Sequence, residues 1–409
     1  MSKPVPPDPA TDSLPIGVIA LLSACNFVIG MGAFVVIGMV PLLATDLEVS
    51  TAAAGGAMTA YALAYAVLSP ILVSLTGRIG RRRVLAAGMA LFALGALGTA
   101  LAANVTLLYL ARGLCAAGAG IVTPVGAAVV AALAPQKMQG KAISAFYFGL
   151  TLSQALGVPI GGWIAFTFGW RAAFWIVLAL AILSAALIWV RVPAGLRFTP
   201  VSLGDLGRAL RDRVIMGAVL FTASFLAAIY VLYTYLAPLL EHTMGFGRDG
   251  ITLVLLAFGA GAVVGNLIGG ILTDRLGSVA SLVLLCLGQI VLMPVFSGMP
   301  IAPSLLLLLT FVWSVFGWSF MAPQQVRLMQ LAPSLAGVVL ALNAAAIYIG
   351  TATGAALGGQ VLALGDVTWL GAAAGVCALG ALGHLLWSHR AANLRAARQS
   401  NFQSAGTKL

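Results

Sequence analysis

Charged side chains are scarce in this sequence. Of its 409 residues only 8% are Asp, Glu, Lys or Arg, whereas 61% are hydrophobic, and the mean hydropathy is +1.08. An ordinary soluble domain carries about 25% charged residues. Because this composition cannot cover a water-soluble surface, it excludes soluble enzymes and soluble binding modules, and we expect lipid to be the solvent for most of the chain.

Side chains that build metal centres and hydrolytic sites are also few. The four cysteines lie singly inside apolar stretches, with no CxxC pair and no histidine at metal-ligand spacing. The three histidines, His242, His384 and His389, lie at or near the ends of the apolar stretches, and no Asp lies inside one. An intramembrane protease would need paired membrane Asp residues, or a Ser beside a buried His. We therefore expect no enzyme activity, no metal and no bound cofactor.

Basic residues exceed acidic ones, giving a net charge of +11 and a pI near 10.0. No basic stripe interleaves with aromatic residues on an amphipathic helix, so nucleic-acid binding is not expected. If the amino terminus is cytoplasmic, the inner loops and tails carry almost all Lys and Arg, and the outer loops keep only Arg171 and Arg248. This asymmetry agrees with the positive-inside rule, so both termini are predicted to be cytoplasmic.

Long apolar runs are abundant. A hydrocarbon core of about 30 Å needs about 20 apolar residues per helix, and charges, Pro or Gly clusters separate such runs here. Six runs are predicted in the first half of the chain, at 16–43, 51–76, 84–103, 106–133, 142–166 and 171–190. Six more follow, at 214–239, 250–273, 278–298, 303–325, 335–364 and 367–388. The expected fold class is an all-α membrane protein with twelve transmembrane helices.

Polar segments divide the chain into five predicted parts. Residues 1–15 form a polar, Pro-rich cytoplasmic tail that does not match a cleavable signal peptide. Residues 16–192 and 214–388 are the two six-helix halves. Residues 193–213 are a cytoplasmic linker, in which GDLGRALRDR either forms a short amphipathic helix or stays a solvated charged segment. Residues 389–409 are the cytoplasmic carboxyl-terminal tail.

A short motif repeats between the two halves. Residues 76–80 read TGRIG and residues 273–277 read TDRLG, and each follows the second apolar run of its half. Both copies therefore occupy the same position, the inner loop between the second and third helices. This placement indicates a duplicated six-helix unit.

The first copy and its continuation, TGRIGRRRVL, resemble the loop signature of the major facilitator superfamily, approximately G-x-L-x-D-R-x-G-R-R. Gly77 departs from it, because the family usually has Asp there. The matching positions are Arg78, Gly80, Arg81 and Arg82 in the first copy, and Asp274, Arg275 and Gly277 in the second. The resemblance implies two pseudo-symmetric six-helix bundles, the major facilitator fold, and a loop that latches the halves in one conformation.

Two further stretches are similar to the efflux branch of this family, the arabinose-efflux-permease-like proteins that include drug and sugar exporters. In LYLARGLCAAGAG, Arg112 matches the family Arg of the fourth helix. In GLTLSQALGVPIGGWIAFTFGWRAAFW, Gly157, Pro159 and Gly161 match the antiporter motif of the fifth helix, although Val158 replaces the usual Gly. The resemblance implies a monomeric alternating-access carrier of an inner membrane, with efflux favoured over uptake symport or facilitated transport. A channel is the alternative of another class, but the sequence shows no filter-like loop.

Glycines recur every four residues in three places. The sets are Gly261, Gly265 and Gly269, then Gly350, Gly354 and Gly358, and finally Gly157 with Gly161. Each set lies on one helix face, where small residues let backbones approach closely. Either these faces form the moving seam between the halves, fifth helix with eighth and second with eleventh, or they are ordinary static packing.

Arg112 is predicted to lie about two turns into the fourth helix. Because an ionisable group there costs about 2.5–3.5 kcal/mol, Arg112 is either a substrate or coupling residue or a structural group bound by helix carbonyls. All ten acidic residues map to loops, tails or helix ends, which disfavours permanent cations and favours a neutral or anionic solute. If protons drive transport, Glu241 at the outer end of the seventh helix is the remaining acid; its alternative role is that of a wetted helix-end residue.

Uncharged polar and aromatic residues at mid-helix depth are further candidates to line a substrate cavity with Arg112, although each can instead bridge two helices. They are Asn26, Tyr147, Gln154, Tyr230, Tyr233, Trp313, Gln324, Asn343 and Tyr348. The expected partners are therefore a small-molecule substrate, the lipid bilayer and, where transport is coupled, protons.

Overall fold

The computed structural model describes residues 15–77, 79–135, 138–195 and 203–406. Across these ranges the regular structure is helical and no strand occurs. Twelve of the described helices are long and apolar enough to cross a membrane, as predicted, and we number them α1–α12. The first six are α1 Ile16–Asp46, α2 Thr51–Leu75, α3 Arg81–Ala100, α4 Val105–Leu133, α5 Ala142–Phe168 and α6 Trp170–Arg191. The second six are α7 Arg213–Met244, α8 Arg248–Leu276, α9 Ser278–Gly298, α10 Pro303–Leu331, α11 Val338–Leu364 and α12 Trp369–Arg395.

Several helices continue past their predicted ends, and α10 and α12 extend the furthest. α10 turns at residues 319 and 320 but resumes over Met321–Leu331, and the helix of α12 runs on to Gly406. In α10 the residue that suggests a loop, Arg327, is instead buried and donates to Ser388 of α12 at 2.7 Å. Arg327, predicted in an inner loop, therefore lies within the helix α10. His384, predicted near the end of its helix, lies farther from the end of α12.

The helices pack as two groups of six. In the first half α4 lies against α2 and α3, and α6 lies against α3. In the second half α7 lies against α11 and α12, and α8 lies against α10. Since each half has an even number of spans, the start of α1, the end of α12 and the linker share one end of the bundle. We call it the tail end, and the opposite one the far end.

The first helix of each half changes geometry at a corresponding depth. α1 is α-helical over Ile16–Phe34, becomes a 3-10 helix over Val35–Met39 and then returns to α-helix. α7 is α-helical over Arg213–Tyr233, turns, and resumes over Leu236–Met244. Irregular backbone is tolerated at membrane depth only where protein or a cavity covers it. In both helices the irregular segment is buried, and that of α1 packs on α5 of its own half as well as on α7 and α8 of the other half.

The two halves meet along a seam formed by α1 with α7, α2 with α11 and α5 with α8. Towards the far end, the Tyr235 hydroxyl of α7 donates to the carbonyl of Ala355 at 2.9 Å and lies 3.5 Å from the carbonyl of Ala52 in α2. At mid-depth, a Cβ added to Gly259 of α8 would lie 2.7 Å from the carbonyl oxygen of Ala155 in α5. The far end is therefore closed, and a carrier closed at one end gives access from the other.

Glycine packing differs from the expected seam. The sets at 261, 265 and 269 and at 350, 354 and 358 face α10 and α7, within their own half, so of the two alternatives static packing applies and the seam does not. Gly157 and Gly161 face α1, also within one half. Regular spacing indicates close packing without identifying the neighbour. The seam glycine of α8 is Gly259, which precedes the regular set by two residues and so lies on a different face.

The linker contains a short helix over Leu203–Arg211, which is one of the two alternatives predicted for this segment. Asp212 then caps α7, accepting from the backbone N–H groups of Val214 at 3.0 Å and Ile215 at 3.2 Å, and it pairs with Arg395 of α12 at 2.5 Å. Burial raises the pKa of Asp212, but the backbone hydrogen bonds and Arg395 outweigh it and hold that pKa below its usual value. This pair fixes the tail ends of α7 and α12 together.

Candidate substrate site at the seam

Arg112 binds the break in α1. Where an α-helix changes to 3-10 pairing, carbonyls near the junction lose their usual i+4 partners. The two terminal nitrogens of Arg112 donate to the carbonyls of Gly32 and Ala33, each at 2.5 Å. The side chain therefore holds the broken segment of α1 against α4, which is the structural role expected as one of its two alternatives.

The same guanidinium also faces aromatic rings. Its central carbon lies 4.6 Å from the ring centroid of Tyr61 and 5.9 Å from that of Phe174. Arg112 is fully buried, and its Nε has no hydrogen-bond partner among the described residues. A desolvated cation over an aromatic face gains about 2 kcal/mol or more. The positive charge of Arg112 therefore lies inside the first half. Its partners among the described residues are backbone carbonyls and aromatic rings, and none of them is a carboxylate.

Aromatic side chains of both halves meet beside Arg112. Tyr65 of α2 stacks on Tyr348 of α11 with centroids 3.6 Å apart, and Tyr61 lies 6.4 Å from Tyr348. Across α1 and α7, Phe34 lies 6.4 Å from Tyr230. These contacts bring two predicted site residues, Tyr230 and Tyr348, to the seam.

The aromatic contacts continue into the second half. Tyr230 lies 5.8 Å from Tyr233, which stacks on Phe258 of α8 at 3.9 Å. Trp313 of α10 packs edge-on against Phe258 at 5.0 Å, and its indole N–H donates to Gln289 at 2.7 Å. The Tyr233 hydroxyl has no partner among the described residues. We call the set the aromatic belt; its members are Phe34, Tyr61, Tyr65, Tyr230, Tyr233, Phe258, Trp313 and Tyr348.

Three other predicted site residues bridge helices within one half. Asn26 of α1 accepts from Thr123 of α4 at 3.0 Å and donates to the Phe146 carbonyl of α5 at 3.4 Å. In the second half, Thr222 of α7 donates to Asn343 of α11 at 2.6 Å, and Gln324 of α10 donates to Thr222 at 3.0 Å. These bonds join first and fourth helices in each half. The structure does not bring Gln324 and Asn343 into the aromatic belt.

Gln154 and Tyr147 lie on α5. Gln154 belongs to a π-helical segment, Ser153–Gly157, and its buried Oε1 has no partner among the described atoms. Such single-turn irregularities are frequent at functional sites. Tyr147 lies about two turns nearer the tail end. Its ring packs edge-on against Phe146 with centroids 5.0 Å apart, and the residue is 36% exposed. Gln154 therefore offers an unused acceptor, and Tyr147 an accessible ring.

Glu241 lies at the far end, away from the belt. It lines a cleft of about 310 Å³ together with Pro41, Asp46, Phe166 and Trp170. Within this cleft Asp46 accepts from the Trp170 indole at 3.0 Å and from Arg171 at 2.6 Å. Glu241 is exposed, so a proton from solution can reach it directly.

The loop-motif residues lie at the tail end. Arg81 is buried, and Arg82 lies over the Trp189 ring of α6 at 4.9 Å. Asp274 and Arg275 are exposed at the end of α8, and Gly277 follows with a φ of +79°, which favours glycine. Arg78 lies outside the described residues. Pro159 is the second residue after the π-helical segment of α5.

Sequence reasoning misses several residues of this region. Phe34, Tyr61 and Tyr65 are apolar or aromatic residues in ordinary spans, and only the spacing of Tyr61 and Tyr65 by one turn marks a shared face. Thr123 and Thr222 are small hydroxyl residues whose partners lie about 100 positions away. No local pattern specifies such long-range contacts.

Comparison with known proteins decides the family. A family model described as Major Facilitator Superfamily matches residues 22–355. The chain belongs to the major facilitator superfamily. It is therefore a multi-pass membrane transporter that works by alternating access, and the resemblance found in its loop and helix motifs is confirmed.

Several curated proteins of this family are similar over most of their length. The uncharacterized MFS-type transporter YbcL of Bacillus subtilis (strain 168) is 30% identical over 357 residues, 87% of this chain and 92% of that protein. The inner membrane transport protein YdhP of Escherichia coli (strain K12) is 30% identical over 83% of this chain and 87% of its own. A probable sugar efflux transporter of Helicobacter pylori is 28% identical over 88% and 92% respectively.

Solved structures share the fold. A bacterial homolog to the human lysosomal transporter Spinster, in an inward-facing and occupied conformation, has a TM-score of 0.72 at 17% identity, over 92% of this chain and 96% of that one. A D-xylose-proton symporter has a TM-score of 0.69 at 21% identity, over 90% and 97%. At these identities the likeness concerns the fold alone.

Proposed function

We propose that this superfamily member is a secondary-active exporter of a neutral or anionic amphipathic solute. The observation that carries the proposal is the buried Arg112 guanidinium beside the aromatic belt, with every acidic residue of the described ranges at a helix end or in a loop. A permanent cation would meet a like charge there and no compensating carboxylate. Ring faces suit the apolar part of an amphipathic solute.

The direction and location belong to the same proposal. The basic tail end is proposed to face the cytoplasm of a bacterium, across its inner membrane, because Lys and Arg concentrate there and because YdhP is named an inner membrane protein. Efflux is supported by the fifth-helix motif and by the relative named a probable sugar efflux transporter. Uptake by symport is the second candidate, since the D-xylose-proton symporter shares the fold.

Protons are proposed to drive this cycle, with Glu241 as the group that meets them at the far end. It is exposed in the far-end cleft and lies on α7, which contributes Tyr230 and Tyr233 to the aromatic belt. In reconstituted vesicles Glu241→Gln is expected to lose pH-driven accumulation and to keep solute counterflow at equal pH. Normal pH-driven accumulation in this variant would exclude Glu241 as the coupling acid.

The substrate proposal is tested by counterflow in proteoliposomes with radiolabelled arabinose as neutral probe, p-aminohippurate as anionic probe and ethidium as cationic probe. Loss of a charged hydrogen-bond donor costs about 1.5–3 kcal/mol, or roughly 10- to 150-fold in affinity. Arg112→Gln is therefore expected to reduce anion flux much more than arabinose flux, whereas Arg112→Lys, which keeps the charge, reduces both about equally. Flux of ethidium alone, unaffected by Arg112→Gln, would refute the proposal.

A further inference from the structure

The second half contains a polar cluster between its helices that the aromatic belt does not include. It consists of His384 and Ser388 of α12, Arg327 of α10 and Ser224 of α7. His384 is half-buried, between one and two turns before the exposed Arg390, and Arg327 is buried. Ionisable side chains packed between the helices of a membrane bundle are costly and are therefore candidates for function.

Both ring nitrogens of His384 have a partner on α7. Nε2 lies 2.9 Å from the carbonyl oxygen of Gly217, which can only accept, so Nε2 must carry a hydrogen. Nδ1 lies 2.7 Å from the hydroxyl oxygen of Ser224. In the neutral ring Nδ1 has no hydrogen, and Ser224 therefore donates to it.

The same site can hold the protonated ring without moving a heavy atom. When a proton from water binds the Nδ1 lone pair, the new N–H donates to the Ser224 oxygen, and the hydroxyl hydrogen turns away. The Ser224 hydroxyl can then donate to the carbonyl oxygen of Leu220, which lies 3.4 Å from the Ser224 oxygen. Both protonation states of His384 are thus hydrogen-bonded, which an inert core histidine does not require.

The charge that faces His384 is positive. It belongs to the buried Arg327 side chain, and the Phe221 ring is near both groups. The ring centroid of Phe221 lies 6.4 Å from that of His384 and 5.8 Å from the central carbon of the Arg327 guanidinium. Arg327 donates one nitrogen to Ser388 at 2.7 Å, and its buried Nη1 has no partner among the described residues. The helices around this cluster carry further titratable or charged groups. They are Arg213 and the Asp212–Arg395 pair at the tail end, Cys286 on α9, Tyr348 on α11, Cys377, His389 and Arg390 on α12, and Tyr230, Tyr233, Tyr235, Glu241 and His242 towards the far end of α7.

Protonation of His384 therefore places a second positive charge beside Arg327 with no carboxylate in the cluster to compensate it. Like charges in a low-dielectric site repel strongly, so this conformation favours the neutral ring. A rearrangement of α7, α10 and α12 that separates the two groups would favour the charged ring. The equilibrium between conformations is then linked to proton binding.

We propose that His384 binds and releases the transported proton on the tail-end side of the membrane, with Ser224 and Arg327 as positioning residues. This inference rests on the proposed proton-driven function. Glu241 meets the proton at the far end of α7, and His384 releases it in the conformation whose far end is closed. No redox change or leaving group is involved, since the proton only exchanges with water.

The test uses the full-length carrier in proteoliposomes, with whichever of arabinose and p-aminohippurate the wild type moves. His384→Gln keeps a donor for Gly217 and an acceptor for Ser224 but cannot titrate, so we expect loss of pH-driven accumulation and unaltered counterflow at equal pH. His389→Gln, one to two turns nearer the tail end, is the matched control and is expected to keep both activities. Intact pH-driven accumulation in His384→Gln overturns the proposal, and so does loss of both activities in a folded protein.

A second measurement separates this inference from the proposed function. Histidine ring resonances of 13C-labelled protein in nanodiscs are followed between about pH 5 and 9, and His384→Gln identifies the His384 signal. If the wild type moves neither solute, the proposed function fails, and the resonance alone decides whether His384 binds protons. A His384 resonance that stays constant over this range overturns the inference even where transport is active.

Discussion

The close contact of α5 and α8 at Gly259 predicts what stabilises the closed far end. A Cβ at this position would lie 2.7 Å from the carbonyl oxygen and 2.9 Å from the carbonyl carbon of Ala155. Both atoms are backbone, so the two helices must separate. Overpacking of this kind costs about 1–3 kcal/mol, which corresponds to a shift of roughly 5- to 150-fold in a two-state equilibrium. Gly259→Ala is therefore expected to depopulate the far-end-closed conformation by that factor.

The shift is measured by electron–electron double resonance in nanodiscs. Spin labels at Leu101 and Leu364 report the far-end separation of the halves, because both side chains are exposed, by 61% and 84%, in a background with the four native cysteines replaced by alanine. Gly270→Ala in the same helix is the matched control, since an added Cβ there has nothing within 4 Å. If Gly259→Ala and Gly270→Ala give the same distance distribution, the α5–α8 contact does not control closure.

Three further predictions concern other contacts. Tyr348→Ala removes the 3.6 Å stack on Tyr65 and is expected to weaken solute affinity in counterflow about fivefold, given about 1 kcal/mol for an aromatic pair. Unaltered affinity would show that the stack is not part of the substrate site. Trp313→Phe removes the donor to Oε1 of the buried Gln289 and is expected to destabilise the fold by about 1–3 kcal/mol, seen as a lower melting temperature in detergent. An unchanged melting temperature would contradict this. For Asp212, whose pKa is lowered in the folded state, the stabilisation is present above the unfolded pKa and lost as pH falls through the folded one. The melting-temperature difference between wild type and Asp212→Asn should therefore narrow below about pH 4, and a constant difference would count against this reasoning.

Hydropathy predicts the number of spans well because each helix must satisfy its backbone inside lipid and so needs a long apolar run. It predicts their ends poorly where polar residues are satisfied by neighbouring helices. Arg327 marks a false end of α10, since Ser388 of α12 supplies a hydrogen-bond partner for it. Arg327 therefore packs between the helices of the second half, and the cluster that it forms with Ser388, His384 and Ser224 escapes prediction.

The depth of Arg112 is predictable from its position in α4, but its partners are not. They are backbone carbonyls exposed by a change of helix type in α1, and IGMGAFVVIG contains no Pro to mark that change. The seam glycine shows the same limit. A repeated four-residue spacing specifies a small face, whereas the neighbour of that face depends on how the six helices of a half are arranged.

The hydrogen bonds of Asn26 with Thr123 and of Thr222 with Gln324 have a consequence for turnover. Each lies inside one half, so neither has to break when the halves rock. Across the seam, Tyr65 and Tyr348 contact through their ring faces, and the hydrogen bonds are long, at 3.5 Å for Tyr235 to Ala52 and 3.4 Å for Arg248 to Thr167. The activation barrier for switching then arises mainly from lost dispersion contacts and displaced lipid, so acyl-chain length in the surrounding bilayer should set the cycling rate more strongly than ionic strength does.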